Sequence, residues 1–182
     1  VQIGYQLWMK ENLKVTKYKN GDAISTGLTD SEWQHNEIAA YAAPENNTSN
    51  STIYGNLYNG WAVQNSNGLC MDGWHVPTDS EFTVLTDYLG GSSVAGGKMK
   101  EEGTSHWNSP NEGATNESGF TALPSGLRRG TNGTFLDLGS DAYYWTSTST
   151  WYRNISYWDG DADRYDIWVG NGMSIRCIKS TP

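Results

Sequence analysis

The chain has 182 residues and a formal net charge of −8, a length that suits one domain around a single substantial core. The acidic balance argues against a nucleic-acid or anionic-membrane partner, since both need a basic footprint to release counterions; Lys10, Lys14, Lys17 and Lys19 form only a thin stripe that reads as a solvated strand face. Nine Trp, eleven Tyr and 21 Gly predict a small aromatic core with many turns, as in an irregular, loop-rich extracellular module, and no apolar run approaches the roughly eighteen residues a membrane span requires.

Along the chain, Gln2 to Tyr18 alternates and carries strand formers, which predicts one or two short strands with Ile3, Trp8, Leu13 and Val15 turned inward. Asn20-Gly21-Asp22 marks a turn. Thr29-Asp30-Ser31-Glu32 is a capping box, in which the threonine caps the nitrogen three residues on and the glutamate reaches back. A short helix is expected from it to near Ala43-Pro44. Glu45 to Thr52, ENNTSNST, has nothing to bury and reads as a polar loop. Tyr54 to Val63 reads as a strand or tight aromatic turn. Thr78-Asp79-Ser80-Glu81 repeats the capping box, and the helix it opens carries Phe82, Leu85 and Leu89 on one stripe before Gly90-Gly91 ends it. Ala95 to Glu102 and Trp107 to Phe120 are rich in glycine and asparagine and predict a long loop pinned by Trp107 and Phe120. Ala122 to Arg128 is read as extended and Thr131 to Phe135 as a turn.

The closing run, Asp141 to Ile178, holds Tyr143, Tyr144, Trp145, Trp151, Tyr152, Tyr157, Trp158, Tyr165 and Trp168, interleaved with Asp159, Asp161, Asp163 and Asp166. Aromatic side chains give large contact area at little rotamer cost, so this run is expected to be a binding face, with its ligand-contacting part inside 143–170. The expected contacts are Trp151, Tyr157, Trp158, Asp159, Asp161, Asp163, Tyr165, Asp166, Ile167 and Trp168. The alternative is a mixed core and loop, since Trp and Tyr also build ordinary sheet cores. Strand alternation over Trp151–Trp158 puts Ile155 and Tyr157 on one face and Asn154 and Ser156 on the other. Beyond Trp158 four carboxylates in eight residues could not be buried unpaired, so a wet tip is expected there.

Cys70 and Cys177 are an even pair, which in this composition suggests a disulfide, with two buried free thiols as the alternative. Asp159, Asp161 and Asp163 have the first ligand positions of a calcium loop, but Arg164 stands where its glycine belongs and Gly170 where its closing acid belongs. No cofactor is expected, and a looser calcium site on these acids is the one alternative. His35, His75 and His106 lack zinc-ligand spacing, and His75, ahead of the second capping box, is expected to be a hydrogen-bonding structural residue. Gly96-Gly97-Lys98 echoes a phosphate loop without its first glycine or its terminal hydroxyl residue. No G-x-S-x-G elbow occurs, and no catalytic residues are assigned: the chain is expected not to be an enzyme.

Five ordered motifs carry a family resemblance: Ile3-Gly-Tyr-Gln-Leu-Trp-Met-Lys-Glu-Asn-Leu13, Gly68-Leu-Cys-Met-Asp-Gly-Trp-His-Val-Pro-Thr78, Gly97-Lys-Met99, Gly113 to Pro124, and Ser174-Ile-Arg-Cys-Ile178. Over nearly the whole chain it resembles the Fibrobacter succinogenes major paralogous domain. The resemblance implies an α+β fold of the C-type lectin-like, formylglycine-generating-enzyme type, with two helices beside short antiparallel sheets and long loops. It also implies pairing of Cys70 with Cys177 and a place outside the cell, at the cell surface or on a phage particle. Some members are similar to the variable receptors of diversity-generating retroelements, in which adenine-directed change of an AAC codon yields Tyr, Asp, Ile, Ser, Asn, Ala and Gly among others but never Trp, so that Trp158 and Trp168 would need another codon. The function this implies is that of a receptor or adhesin module for a protein ligand. The alternative is a glycan-binding or carbohydrate-active surface protein in which Trp158 or Trp168 stacks on a sugar.

Overall fold

The computed structural model describes residues 1–148 and 150–180, so Ser149 of the closing run lies outside the described residues. The chain opens with a hairpin of β1 (Gln2–Ile3) and β2 (Gln6–Leu7). It delivers Trp8 into the core against Phe82 and Phe120, with ring centroids 4.9 and 5.7 Å apart. Ile3, Trp8 and Leu13 are buried and Val15 is half-buried. Asn20–Asp22 is the expected turn, with the Tyr18 amide donating to the Asp22 carbonyl at 2.9 Å.

The first capping box starts α1 (Asp30–Gln34) with both reciprocal bonds in place, but the helix stops after five residues instead of reaching Pro44. Asn36 supplies a competing turn, its side chain bonding both the amide and the carbonyl of Ile38. Beyond it the Ala40 amide is claimed by Asn59 Oδ1 and the Tyr41 amide by the Ser25 carbonyl, so β3 (Tyr41–Ala42) lies where helix was expected. The polar segment that follows also departs from expectation. After a 3₁₀ turn at Pro44–Asn46, Asn47 accepts from the Ser49 amide and caps α2 (Thr48–Tyr54). None of the residues of α2 is buried, and a helix without an apolar stripe leaves no periodic signal.

β4 (Leu57–Asn59), the helical turn α3 (Gly60–Val63) and β5 (Trp74–His75) lead into α4 (Asp79–Tyr88) and α5 (Ser92–Met99). α4 is the helix its sequence predicts: the Thr78–Glu81 box is complete and Phe82, Leu85 and Leu89 are buried, each contributing on the order of 2 kcal/mol. Gly90 and Gly91, at φ 106° and 101°, end it in a conformation other residues resist. His75 has the structural role expected of it, bonding Glu81 through Nε2 and the Ser180 hydroxyl through Nδ1, each at 2.9 Å. α5 replaces the start of the expected glycine-rich loop. It contains Gly96 and Gly97 because a methyl group at either would overlap a backbone carbonyl, of Asp161 or of Gly113. The expectation of two helices is thus corrected: five α-helices, of four to ten residues, lie among the described residues.

The remaining strands are β6 (Ser125–Arg128), β7 (Phe135–Leu138), β8 (Asp141–Trp145), β9 (Trp151–Ser156), β10 (Asp163–Asp166), β11 (Gly172–Met173) and β12 (Ile178–Lys179). The main sheet runs β10-β9-β8-β6-β11-β4-β3, with β7 added to β6. It is mixed rather than purely antiparallel, because β6 and β8 pair in parallel at Gly126 and Ala142. Two-stranded sheets β1-β2 and β12-β5 complete an α+β fold.

Successive residues of β8 enter different parts of the core, as a period of two requires. Ala142 and Tyr144 join Phe82 and Leu85 of α4, while Trp145 joins Tyr58, Met173 and the cysteines. Cys70 and Cys177 form a disulfide across 107 residues of sequence. Two buried arginines brace the loops. Arg128 lies between the rings of Trp33 and Phe135, 4.5 and 4.8 Å from their centroids. Arg176 donates to Asn12 Oδ1 and to the carbonyls of Lys10 and Phe120.

Candidate functional site

Strand register assembles the site. Tyr143 pairs with Asn154 and Asn154 with Asp163, while Tyr152 pairs with Tyr165. Residues directly opposite one another share a face, so all five lie on one side of β8, β9 and β10. The tyrosines form a row across the three strands, with ring centroids 6.0 Å apart from Tyr143 to Tyr152 and 5.9 Å from Tyr152 to Tyr165. Acids hold it in place. Tyr143 donates its hydroxyl to Asp137 (2.9 Å), Tyr165 donates to Asp163 (3.2 Å), and the Asn154 amide donates to Asp141 (3.1 Å). Tyr165 is 48% exposed and the other four are half-buried. Leu136 and Ile167, also half-buried, pack into the same apolar cluster as Tyr143 and Tyr152.

The other side of these strands is fastened to α4. Arg153, inward-facing on β9, donates to Asp79 Oδ1 (2.7 Å) and to the Thr83 hydroxyl (2.8 Å). Arg164 of β10 donates through Nε to both oxygens of the same carboxylate (2.9 and 2.8 Å) and lies 3.6 Å from the centroid of the Trp151 ring. One carboxylate at the first position of a helix thus binds two strands. Charge-assisted contacts of this kind are the stronger ones, and they give β10, an edge strand, a fixed position.

The hairpin tip between β9 and β10 is held by Lys100, whose buried ammonium donates to the carbonyls of Glu112 (2.7 Å), Ser156 (2.8 Å) and Asp159 (2.7 Å). Burial pushes its pKa down to about 8, against the pull of Asp159, Glu112 and Asp141. The Gly97 amide donates to the Gly160 carbonyl and the Ala162 amide to the Ser92 carbonyl, so the tip lies on α5.

These contacts divide the residues expected from sequence into four places. Asp163, Tyr165 and Ile167 belong to the tyrosine side. Tyr157, Trp158, Asp159 and Asp161 are at the tip, where Trp158 is 65% exposed with its ring 4.8 Å from that of Tyr157. Asp159 is exposed as well, in keeping with the wet tip expected beyond Trp158, while Tyr157 and Asp161 are half-buried and Ala162 is buried. Trp151 and Asp166 pair with each other on the α4 side. Trp168 packs edge-on against Trp61 at 5.9 Å and closely over Gly130 and Gly170. Tyr144 and Trp145 of the closing run are fully buried core residues. Tyr143, Tyr152, Asn154, Asp137 and Asp141 were not among the expected contacts; the alternation of Tyr152 and Asn154 with Arg153 and Ile155 was their one signal.

The site is electronegative. Burial, then Asp137 and Asp159, raise the pKa of Asp141; burial, then Asp141 and Asp137, raise that of Tyr143. Asp163 raises that of Tyr165. A carboxyl whose folded pKa exceeds its unfolded one stabilises fully below the unfolded value, 3.8, and loses that contribution as pH rises through the folded value. Asp141→Asn is therefore expected to melt higher than the parent at about pH 7 and to converge with it near pH 3, as calorimetry at the two pH values would show. Among the described residues no three His, Cys, Asp or Glu side chains converge on a metal position, and no helix is long and apolar enough to cross a membrane.

A family model described as the Fibrobacter succinogenes major domain matches residues 1–179. No curated protein and no solved structure matches the chain.

Proposed function

We propose that this chain, which belongs to the Fibrobacter succinogenes major domain family, is a binding module of the C-type lectin-like type, displayed outside the cell or on a phage particle, that takes a protein ligand on the tyrosine side of β8, β9 and β10. The observation that carries this reading is the row Tyr143, Tyr152 and Tyr165 bordered by Asp137, Asp141 and Asp163. Tyrosine offers rigid amphipathic contact area at low entropic cost, and the acids favour a ligand surface rich in Lys, Arg or hydrogen-bond donors. The Asp79 clamp and Lys100 supply the rigid support that such a surface needs to avoid an ordering cost on binding. The disulfide favours an oxidising compartment.

The composition of the surface also supports a diversified receptor. Tyr143, Tyr152, Asn154, Asp163, Tyr165 and Ile167 all fall within the set reachable from an AAC codon by adenine-directed change. Trp151, Trp158 and Trp168, which fall outside it, are turned to α4, placed at the tip beside Tyr157 and packed on Trp61 respectively. The reading is one of binding without catalysis: the Tyr143 and Tyr165 hydroxyls are engaged by carboxylates, while His35, His75 and His106 are committed to the Ser31 carbonyl, Glu81 and Glu101. A sugar stacked on Trp168 has less support, since Gly130, Gly170 and Trp61 already contact its ring.

An array of surface proteins and glycans probed with the purified chain tests the reading. The expected hits are proteins with basic patches, bound about tenfold more weakly when salt is raised from low to well above physiological strength. Hits restricted to glycans, or affinities indifferent to salt, would contradict it.

A further inference from the structure

A cleft of about 780 Å³ opens at the β3 end of the main sheet, the edge opposite β10. Its walls are the segment from Thr26 to Thr29 on one side and the 3₁₀ turn with α2 on the other, with Tyr41 of β3 and Thr16 between them. That volume is in the usual range of small-molecule sites.

Three properties of the lining select a ligand class. The first is charge: in a chain with 20 acidic residues, the one charged residue of the lining among the described residues is Lys14, and Glu11 already pairs with it at 2.7 Å. A phosphate or carboxylate ligand would find no free cation there. The second is hydroxyl content. Thr29, Ser51 and Asn56 are committed inside the protein, to Glu32, to one another and to the Lys14 carbonyl. The hydroxyls of Thr16, Thr26, Thr48, Thr52 and Tyr41, by contrast, find no side-chain or backbone partner among the described residues and border one concavity. The third is the strand edge. A peptide adding to β3 would need its free backbone groups, but Tyr41 already donates to the Ser25 carbonyl and Ala40 bridges to Ser25. Strand addition is closed off.

An uncharged ligand that both donates and accepts many hydrogen bonds, and that presents C–H faces to Leu28, Ala43 and the Tyr41 ring, meets all three conditions. We infer that this cleft is a binding site for a short neutral oligosaccharide, separate from the tyrosine side of β8–β10 and independent of what that surface binds.

Backbone-amide NMR titration of the full chain with the tetrasaccharides of β-linked glucose, xylose and mannose, each to about 10 mM, tests this. The expected result is saturable shifts for at least one of the three at Gly27, Tyr41 and Thr48, with a dissociation constant on the order of 0.1–1 mM. Thr26→Ala combined with Thr48→Ala, both at exposed positions, is expected to weaken that binding about tenfold while leaving the melting temperature in place. Tyr152→Ala should leave it unchanged. Absence of shifts with all three sugars, shifts confined to residues 143–167, or tighter binding of a tetragalacturonate than of every neutral sugar would each overturn the assignment.

Discussion

Replacing both Cys70 and Cys177 by alanine is expected to lower the unfolding free energy by about 4–5 kcal/mol in the chain-entropy account. The loop released spans 107 residues, and it joins the middle of the chain to the strand that returns from the proposed binding surface. The sulfurs are also part of the core beside Trp145, Met173 and Ile175, so loss of packing adds to the loss of the cross-link. Urea denaturation of the parent and the double variant measures the effect as a lower midpoint. The parent in reductant, which loses the cross-link but keeps the sulfurs, should fall toward the variant. A shift below about 1 kcal/mol would mean that burial alone holds the two segments together.

Arg176→Met should cost about 3–5 kcal/mol, because among the described residues the guanidinium is the sole donor set for several inward-facing acceptors. It is 1% exposed, donates to Asn12 Oδ1 at 3.0 and 2.6 Å and to the Lys10 carbonyl at 3.0 Å, bonds the Phe120 carbonyl, and covers the Phe120 ring at 4.3 Å. Burial depresses its pKa, and no carboxylate forms an ion pair with it among the described residues. Each acceptor left dry costs roughly 1–3 kcal/mol, less than additively. Asn12, which also donates to the Tyr54 carbonyl and the Ser174 hydroxyl, is the natural partner for a double-mutant cycle: Asn12→Ala with Arg176→Met should cost clearly less than the sum of the two. Strict additivity would show that the two side chains act separately.

These two sites explain motifs that carry the family resemblance in the sequence. Glu-Asn-Leu near the start and Ser-Ile-Arg-Cys-Ile near the end meet as Asn12, Ser174 and Arg176 in one buried network, and Gly97-Lys-Met places a glycine where α5 touches the Gly113 carbonyl. Local chemistry was readable. Both capping boxes and the Phe82, Leu85 and Leu89 stripe form as their spacing predicts, because each depends on residues three or four apart. Where a distant residue decides, the reading stopped short. Asn59 claims Ala40 and ends any prospect of a longer α1, and no period announces α2 because it buries nothing. The proposed binding surface suffers the same blindness. Tyr143, Tyr152 and Tyr165 are far apart in sequence and become neighbours through strand register alone, whereas rings consecutive in sequence, such as Trp151 and Tyr152, are sent to opposite sides. Nothing in the sequence pairs Arg153 with Asp79, which reads there as part of a capping box; only the packing of α4 on β9 makes them a clamp.

The most direct measurement of the account compares two variants against a ligand found by the array: Tyr152→Ala with Tyr165→Ala, and Trp158→Ala alone. Trp158 is the most exposed ring of the closing run but stands at the tip, away from the tyrosine row. Central aromatic contacts carry most of an interface's free energy, on the order of 2 kcal/mol or more each. The account predicts that the tyrosine pair keeps a cooperative melt and loses affinity by about a hundredfold or more, while Trp158→Ala stays within about twofold of the parent. Full binding by the tyrosine pair, with binding lost in Trp158→Ala, would contradict it and move the site to the hairpin tip.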